Sequence, residues 1–581
     1  MSEMYGFIGG LNINSSNLII HEYTDIDTIS RSVEYENFVL KQNTLKKFVN
    51  DKVFFESKDV IIAIEGVIYN YKELCNYYKI EERGRLLEYI YINKSLNEMC
   101  DILDGYYSGI VYDKKTKEVH VLTDHIGYRP IWYYYVGAMF LFSTDINWLY
   151  KSVNAIESKF DVDEDALVCL LNFGYILGDR TIRKNIKKVL PGHYLTLKND
   201  GTLEIEKYYS LPLPQTRIVD MDNVLYELDN RLTAAVKKSY EKDAEYGYKH
   251  IMPLSGGLDS RTLLFKACQL GYETTCITMG EANCADIRIA SQICNDLKKE
   301  HLIYELNNGL YLSDIDSAVE ANGGNIMWPG FAHGYRHRCL TNLAPFGAIH
   351  SGDCGDIILG GSLYEGPNKL LKGQFNITRD VVAYGKKFEG RFSEEFIECE
   401  SNRYENQVLF NYYNRGVNSA GNGVFATQFF TEGSSPFMDR GVLDLMYKIP
   451  YEYTKKHKCY FEYLKKYMPE ACNYVWEHSG CKPGAGFLQL ECVKWKRRFN
   501  YRILHRIVSM NPYDKWYRNN VEFRSYLEKI YGDINFISGI SEDMISLIRK
   551  KYSSNSTIDK TLACVAIRVL VNYGLDKRNE R

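Results

Sequence analysis

The sequence has no long hydrophobic run. Its longest loosely apolar stretch, 167–178, has about 12 residues, well short of the roughly 20 that a membrane-spanning helix needs. The start, MSEMYGFIGG, has an acidic residue and no apolar core after a basic cluster, so it does not resemble a secretory signal. We therefore expect a cytoplasmic protein without membrane insertion.

Cysteine pairs and an excess of charge are also missing. The 15 cysteines are odd in number and no two form a C-x-x-C pair, which argues against a disulfide framework or a zinc ribbon. The 71 Lys and Arg residues nearly balance 74 Asp and Glu, so no overall field recruits nucleic acid. A basic stretch that begins near Glu491 is interpreted as a solvated helix face. Nothing in the composition indicates the oligomeric state.

Proline is scarce, with 13 residues, whereas 48 tyrosines make the chain aromatic-rich and indicate a compact protein with few long linkers. The first 210 residues or so alternate β-branched and aromatic strands with turns. From His250 onward, a strand, a glycine turn, a helix and another strand follow one another, which is typical of a parallel α/β sheet. We predict an α/β protein with domains at 1–211 and 212–581, the second having many helices in its C-terminal part.

The strongest local motif is SGGLDS, which leaves an apolar strand and opens a helix. Its two glycines let backbone N–H groups converge on a phosphate, and the helix N-terminus adds partial positive charge. The two serines supply hydroxyl donors. Asp259 would repel phosphate unless a cation lay between them, so it predicts bound Mg²⁺. The residues predicted to bind phosphate are Leu254, Ser255, Gly256, Gly257, Asp259 and Ser260.

The whole string resembles the PP-loop of ATP pyrophosphatases, and further segments resemble the asparagine synthetase-like family. SGDCGD at 351–356 is similar to that family's S-G-x-G-x-D element, with Cys354 where glycine is usual. The resemblance implies that Asp356 joins Asp259 as a Mg²⁺ ligand. It also implies ATP or pyrophosphate contacts from Thr278, Gly280, Asp286, Gly352 and Lys458.

Two residues of this resemblance would carry chemistry. Lys482 is similar to the family lysine that lies over the reacting centre, where an ammonium stabilises developing charge. Asp353 stands where asparagine synthetases carry a glutamate; it could accept a proton from an attacking amine or serve as a structural acceptor. Arg261 replaces a serine of the common motif and is expected to alter the substrate side of the pocket. The stretch 323–337 is expected to contribute to the acceptor pocket.

The first domain resembles the family's glutaminase, through segments such as MYGFIG and EGVIYNYKEL. The implied fold is an Ntn-hydrolase-like αββα sandwich. The catalytic N-terminal cysteine is replaced by Tyr5, preceded by four residues, and a phenol with a pKa near 10 cannot substitute for a thiolate. Glu65 and Val67 replace the asparagine and glutamate of the family's N-G-E-I-Y-N. We predict that this domain does not hydrolyse glutamine.

The resemblance implies an ATP-dependent synthetase that adenylates a carboxylate, releases pyrophosphate and AMP, and joins the carboxylate to an amine. The substrate is a small molecule or peptide, with a precursor peptide or a partner enzyme as conceivable partners. Because ammonia is not made in cis, an intramolecular cyclase of lasso-peptide or β-lactam type is favoured. Alternatives are an ammonia-dependent asparagine synthetase, a sugar-acid amidotransferase and a non-catalytic scaffold; the intact carboxylate pair argues against the scaffold.

Overall fold

The structure is a computed structural model of the 581-residue chain. It describes residues 3–8, 27–157, 160–213, 220–325, 328–360, 371–374, 376–380, 388–485, 489, 491–493, 495 and 509–575. All the predicted site residues fall within these ranges. The basic stretch after Glu491 lies largely outside them, so its interpretation stays a prediction.

The N-terminal half contains two antiparallel sheets and five helices in the described ranges. The strands are β1 (Glu3–Ile8), β2 (Thr28–Tyr35), β3 (Phe38–Leu45), β4 (Phe54–Glu56), β5 (Val60–Ile68), β6 (Gly105–Asp113), β7 (Glu118–Thr123), β8 (Trp132–Val136), β9 (Met139–Ser143), β10 (Ile186–Lys188), β11 (His193–Leu197) and β12 (Leu203–Lys207). The helices are α1 (Tyr71–Tyr78), α2 (Arg83–Asn93), α3 (Leu96–Ile102), α4 (Ile146–Ile156) and α5 (Glu164–Phe173).

These elements form four layers. The sheets have the orders β10-β8-β9-β1-β3-β2 and β12-β11-β7-β6-β5-β4. Because successive side chains of a strand point to opposite faces, Met4 packs between the sheets whereas Tyr5 faces α4. In β5, likewise, Ile61 faces the other sheet and Ile62 faces α2 and α3. The prediction of an αββα sandwich is confirmed.

The C-terminal half is built on a parallel sheet of five described strands. They are β13 (Lys249–Pro253), β14 (Thr274–Gly280), β15 (His301–Glu305), β16 (Phe346–His350) and β17 (Gly433–Ser434). The helices are α6 (Met221–Glu245), α7 (Leu258–Gln269), α8 (Ala285–Leu297), α9 (Ile315–Asn322), α10 (Trp328–Leu340), α11 (Gly355–Leu359), α12 (Ile377–Asp380), α13 (Glu394–Arg403), α14 (Gln407–Asn411), α15 (Val424–Gln428), α16 (Arg440–Met446), α17 (Tyr451–Thr454), α18 (Lys458–Tyr467), α19 (Tyr513–Asn519), α20 (Val521–Gly532), α21 (Glu542–Tyr552) and α22 (Thr557–Asn572).

The strand order β15-β14-β13-β16-β17 contains a switch point. From β13 the chain proceeds to β14 and β15 on one side, and later returns to β16 and β17 on the other. Ligands of such sheets bind in the crevice at the carboxyl ends of the two strands that flank the switch. The loops that follow β13 and β16 are the two motif loops, so the topology brings them together.

One large hydrophobic cluster contains residues of both halves. The cluster that includes α4 and α5 continues into α9, α10 and α19–α22. At this contact, the Tyr150 and Tyr573 rings meet edge to face at 4.5 Å, and the Asn154 side-chain amide donates to the Tyr573 carbonyl at 2.7 Å. The C-terminal helices therefore belong structurally to both halves.

Two expectations about composition can be compared with the described residues. All 15 cysteines are free thiols, in keeping with the absence of a disulfide pattern. In the described part of the chain no helix is both long and apolar enough to cross a bilayer.

Candidate active site

The first motif loop is held in shape by its own side chains. The Ser255 N–H donates to Ser260 Oγ at 3.0 Å, and the Gly257 N–H donates to Ser255 Oγ at 3.1 Å. The Gly256 N–H donates to Asp286 Oδ1 at 2.9 Å. The loop is therefore a preformed turn at the start of α7, the kind of backbone arrangement that binds phosphate.

The second loop presses directly on the first. A Cβ atom at Gly352 would lie 2.7 Å from the Ser260 nitrogen, and one at Gly355 would lie 2.6 Å from Asp259 Cγ. Glycine at both positions is thus required by the close approach of the loops. Cys354 has φ +67°, a left-handed conformation that favours glycine, which explains why glycine is the usual residue there and implies local strain at Cys354.

This approach makes Asp259 and Asp356 neighbours. The Asp356 N–H donates to Asp259 Oδ2 at 3.0 Å, and the Tyr460 hydroxyl donates to Asp259 Oδ1 at 2.9 Å. Burial, followed by the negative charge of Asp356, raises the pKa of Asp259 well above its ordinary value. A divalent cation would offset both effects, and two carboxylates completed by phosphate oxygens are a common Mg²⁺ environment. The residues present therefore fit Mg²⁺.

A cavity of about 310 Å³ opens beside the two loops. Seven of the predicted residues line it: Leu254, Ser255, Gly257, Asp259, Ser260, Gly352 and Asp353. One part of the wall is apolar, from Ile277, Met279 and Met510. Such a surface suits an aromatic base next to a phosphate loop.

The polar part of the wall comes from three elements. Asp353 lies within the second loop, Arg338 and His333 lie on α10, and Tyr128 comes from the N-terminal domain. Burial raises the pKa of Asp353, whereas a hydrogen bond from Ser351 and the charge of Arg338 oppose this effect. Burial lowers the pKa of His333 to about 4, so this imidazole is neutral at physiological pH. Within 323–337, Gly330, His333 and Gly334 line this cavity, and the contribution of the stretch to an acceptor pocket stays a prediction.

Several predicted residues support the loop and do not line the cavity. Asp286 lies in the first turn of α8 and accepts a hydrogen bond from the Gly256 N–H. The Thr278 hydroxyl donates to the Leu254 carbonyl at 2.7 Å, and Gly280 ends β14. Lys458 begins α18 and is exposed to solvent. Their proposed contacts with ATP stay predictions.

Lys482 is exposed and is not part of the described cavity lining. It follows a short hairpin in which the Trp476 N–H donates to the Cys481 carbonyl at 2.8 Å, and this hairpin docks on the phosphate loop through the Glu477 N–H and the Gly256 carbonyl at 3.0 Å. The lysine is thus near the loop in the fold, but its catalytic role stays a prediction.

Arg261 does not face the substrate pocket. It is fully buried and donates to the carbonyls of Ala471, Tyr474 and Val475, at 3.2, 3.1 and 2.7 Å, as well as to Gly256. The expectation that it alters the substrate side is wrong, because the first turn of α7 directs this side chain toward the 471–475 segment. Its role is to anchor that segment to the loop.

The three replaced glutaminase positions are all buried. Tyr5 stacks on Trp148, with ring centroids 4.7 Å apart, and burial raises the pKa of its phenol. Val67 packs with Phe48 and with Ala348 of β16. Each of these side chains is therefore part of a packed contact.

Glu65 belongs to a buried ionic group that we call the interface tetrad: Lys52, Glu65, Arg129 and Glu432. Lys52 Nζ lies 2.8 Å from Glu432 Oε1 and 3.5 Å from Glu65 Oε1. Arg129 Nη2 lies 3.1 Å from Glu65 Oε1, and Arg129 Nη1 pairs with Glu432. Three members come from the N-terminal domain and Glu432 comes from the segment before β17, so the tetrad joins the domains.

The tetrad stands directly behind the cavity. Tyr128 and Gly433 line the cavity, and their chain neighbours Arg129 and Glu432 pair in the tetrad. Burial alone would raise the pKa of Glu432, but Arg129 and Lys52 outweigh it and hold this pKa below its ordinary value. The two cations thus favour the charged form of Glu432, in a group made of two basic and two acidic side chains.

The sequence reasoning missed the tetrad, Tyr128 and Arg338. Tyr128 and Arg129 lie in the N-terminal domain, outside the motifs that predict the synthetase site, and Arg338 lies one residue beyond the stretch expected in the acceptor pocket. Lys52 and Glu432 have no motif that would reveal them. Only the packing of the two domains identifies their partners.

Comparisons with known proteins agree with this architecture. Residues 50–209 match the model of the glutamine amidotransferase domain, and residues 227–420 match the model of asparagine synthase. A putative asparagine synthetase [glutamine-hydrolyzing] 2 of Methanocaldococcus jannaschii is 31% identical over 37% of this chain and 42% of its own length. The putative asparagine synthetase 1 of the same organism is 22% identical over 76% of this chain and 75% of its own.

The first relative is thus matched over less than half of its length. Among solved structures, the allosteric regulatory enzyme of purine biosynthesis aligns with a TM-score of 0.27 and 8% identity, over 52% of this chain and 80% of its own. The two domain models cover the sandwich and the sheet that carries both motif loops. On these matches, the chain combines a region similar to the glutamine amidotransferase domain with a region similar to asparagine synthase.

Proposed function

We propose that this protein is an ATP-dependent carbon–nitrogen ligase that forms AMP and pyrophosphate and joins a carboxylate to an amine. The observation that carries this proposal is the close approach of the two motif loops, which Gly352 and Gly355 permit. This approach brings Asp259 and Asp356 together beside a cavity. A phosphate turn, a carboxylate pair fit for Mg²⁺ and a polar pocket are the parts that adenylation of a carboxylate needs.

In the first step, the N-terminus of α7 and the Ser255 and Ser260 hydroxyls bind the phosphates of ATP. Mg²⁺ held by Asp259 and Asp356 would neutralise phosphate charge. A carboxylate oxygen of the substrate forms a bond to the α-phosphorus, and the bond from that phosphorus to the β-phosphate oxygen breaks. Pyrophosphate leaves and an acyl-adenylate stays in the cavity.

In the second step, the amine nitrogen forms a bond to the acyl carbon and AMP leaves. The nitrogen must lose a proton, and Asp353 is the carboxylate of the cavity wall that can accept it. Its burial raises its pKa, which makes it a better base than an exposed aspartate. Lys482, which follows the hairpin docked on this loop, would stabilise the developing charge.

The amine does not come from glutamine hydrolysed by this chain. Tyr5 has no thiol and is stacked in the core, and the Glu65 carboxylate is paired in the tetrad. The amine is then free ammonia, a product of another enzyme or a group of the substrate itself. We favour a specialised amide former, such as an intramolecular cyclase, over asparagine synthesis.

Hydroxylamine tests the ligase proposal, because it traps an activated carboxylate as a hydroxamate. Purified protein is incubated with ATP, Mg²⁺, hydroxylamine and a panel of amino acids, sugar acids and carboxylate peptides. We expect hydroxamate, AMP and pyrophosphate in equal amounts with at least one carboxylate. A scaffold protein would give none, and this result would refute the proposal.

Two further incubations test the amine source. With glutamine alone, we expect no release of glutamate; release would contradict the loss of glutaminase activity. With aspartate, ammonium and ATP, robust formation of asparagine would overturn our preference for a specialised amide former while leaving the ligase proposal intact.

A further inference from the structure

A group of side chains that can bind a metal lies on the α6 side of the parallel sheet. Asp243 is in the last turn of α6, His250 lies in β13 and His350 ends β16. One oxygen of the carboxylate and one nitrogen of each imidazole all lie within 4.8 Å of one another. We call these three side chains the histidine cluster. None of them is among the residues that line the cavity in the described structure.

The carboxylate of Asp243 is the centre of the cluster. Its Oδ2 lies 2.7 Å from His350 Nε2 and 3.0 Å from His250 Nδ1, and its Oδ1 accepts from the Ala348 N–H at 2.8 Å. Burial alone would raise the pKa of Asp243, but His350 and the hydrogen bonds of the cluster outweigh it and hold this pKa below its ordinary value. Asp243 therefore offers a charged oxygen ligand inside the protein.

The surrounding fold holds the three side chains in place. The Tyr240 ring stacks on His350 with centroids 4.0 Å apart, and its centroid lies 4.5 Å from that of His250. Strand β16 packs closely on the carboxylate, because a Cβ at Gly347 would collide with Asp243 Oδ1. A helix and two strands, rather than loops, thus position the donor atoms, as a precise metal site requires.

Hydrogen bonds within the described residues do not satisfy the whole cluster. His350 is fully buried, and its Nδ1 has no hydrogen-bond partner among those residues; a bound ion is one explanation for an orphan of this kind. Imidazole nitrogens and a carboxylate oxygen are zinc ligands, with bonds of about 2.0–2.2 Å that place tetrahedral ligand atoms roughly 3.3 Å apart. The separations of 2.7 and 3.0 Å around Asp243 Oδ2 need to widen only slightly to admit the ion.

We propose that Asp243, His250 and His350 bind a zinc ion, with a fourth position open to water on the side of His250, whose side chain is 12% exposed. Imidazole ligands suit zinc and not magnesium, so this ion is distinct from the Mg²⁺ of the motif loops. His250 lies five residues before Ser255, and His350 directly precedes Ser351. Zinc would therefore tie α6 to the two strands that carry the motif loops. The inference does not depend on the proposed ligase activity.

Zinc titration of the full chain, after treatment with a chelator, tests the proposal. Excess Mg²⁺ is present to compete for the carboxylate pair of the motif loops. Isothermal titration calorimetry should give one zinc ion per chain with a Kd of about 1 μM or tighter. Zinc at 100 times its Kd should raise Tm by about 5–10 °C. A chain that binds no zinc, or whose Tm does not respond to bound zinc, overturns the proposal.

X-ray absorption of the zinc-loaded wild-type chain identifies the ligand types, which matters because the chain has 15 free thiols. We expect nitrogen and oxygen ligands at about 2.0–2.2 Å, with the multiple scattering of imidazole rings, and no sulfur at about 2.3 Å. A spectrum dominated by sulfur would show that cysteines bind the ion, and the assignment to the histidine cluster would be wrong.

Variants identify the residues. His250→Gln and His350→Gln should each weaken zinc binding about 100-fold or more. His193→Gln is the matched control, because His193 is also partly exposed and lies in β11 of the other domain; its zinc affinity should stay within twofold of the wild type. Unchanged zinc affinity in His250→Gln, whose partly exposed side chain makes it the milder substitution, would refute the site even if His350→Gln fails to fold.

Discussion

Replacement of Lys52 by methionine should destabilise the junction of the two domains. Lys52 and Glu65 are fully buried and Arg129 and Glu432 nearly so, so removal of one cation leaves a net negative charge in the tetrad. Breaking a buried ion pair by removing one partner costs about 3–5 kcal/mol. Methionine preserves the apolar length of the side chain, so the effect is mainly electrostatic.

The expected loss can be expressed as a change in melting temperature. For a domain of 150–250 residues, each kcal/mol lowers Tm by about 2–4 °C, so Lys52→Met should lower it by about 6–20 °C. Differential scanning calorimetry of the full chain measures this shift. Because a two-domain chain need not unfold in one step, the first transition is the one to compare.

A surface lysine of the same domain is the control. Lys46 pairs with Asp27 at 2.6 Å, with side chains 49% and 77% exposed, and such exposed pairs contribute about 0–1 kcal/mol. Lys46→Met should therefore change Tm only slightly. If Lys52→Met has no larger effect than Lys46→Met, our interpretation of the tetrad is wrong.

A double variant separates charge from packing. Lys52→Met combined with Glu432→Gln leaves one cation, Arg129, and one carboxylate, Glu65, so the formal net charge of the tetrad returns to zero. We expect the double variant to melt higher than the sum of the single effects implies, as residues of one network do. If the melting-temperature changes of the two single variants simply add up in the double variant, only local packing was lost.

Three other predictions concern the loops and pH. Asp259→Asn and Asp356→Asn should each lower ATP-dependent pyrophosphate release about 100-fold or more, whereas the exposed control Asp222→Asn should not. Arg261→Met removes the bonds that anchor the loop to its neighbouring segment and should cost about 3 kcal/mol, measured by calorimetry, with weaker nucleotide binding. The pKa of Glu432 lies below its ordinary 4.5. The Glu432 carboxylate therefore stabilises the fold fully above pH 4.5, and this stabilisation is lost as the pH falls through the lower pKa. From neutral to acidic pH, the melting temperature of Glu432→Gln should fall less than that of the wild type.

The sequence predicted the parts of the site that depend on local patterns. The SGGLDS turn and the strand before it have strong local signals, and the structure places both where expected. Backbone turns that need glycine, and helices with apolar periodicity, are determined by neighbouring residues. The carboxylate pair could be predicted as well, because each aspartate opens the helix that follows a parallel strand of the same sheet.

Contacts between distant segments could not be predicted in the same way. Arg261 follows the loop motif, yet its direction depends on a segment about 210 residues later. Similarly, the π-helix Tyr412–Ser419 has no signature in the sequence, although its Gly416 carbonyl contacts Cys354. A residue type does not reveal the partner that a fold supplies.

Glu65 illustrates the limit most clearly. A glutamate at a position where an oxyanion should form suggests simple repulsion, but the structure shows a carboxylate that two cations already hold. Lys52 and Arg129 thus pair with the side chain that stands at this position, and in our proposal the tetrad takes the place of the machinery for glutamine hydrolysis. Because the tetrad also fixes the wall that presents Tyr128, the N-terminal domain is better understood as part of the synthetase pocket than as an inactive attachment. Separation of the domains should therefore remove both a buried charge network and one side of the substrate cavity.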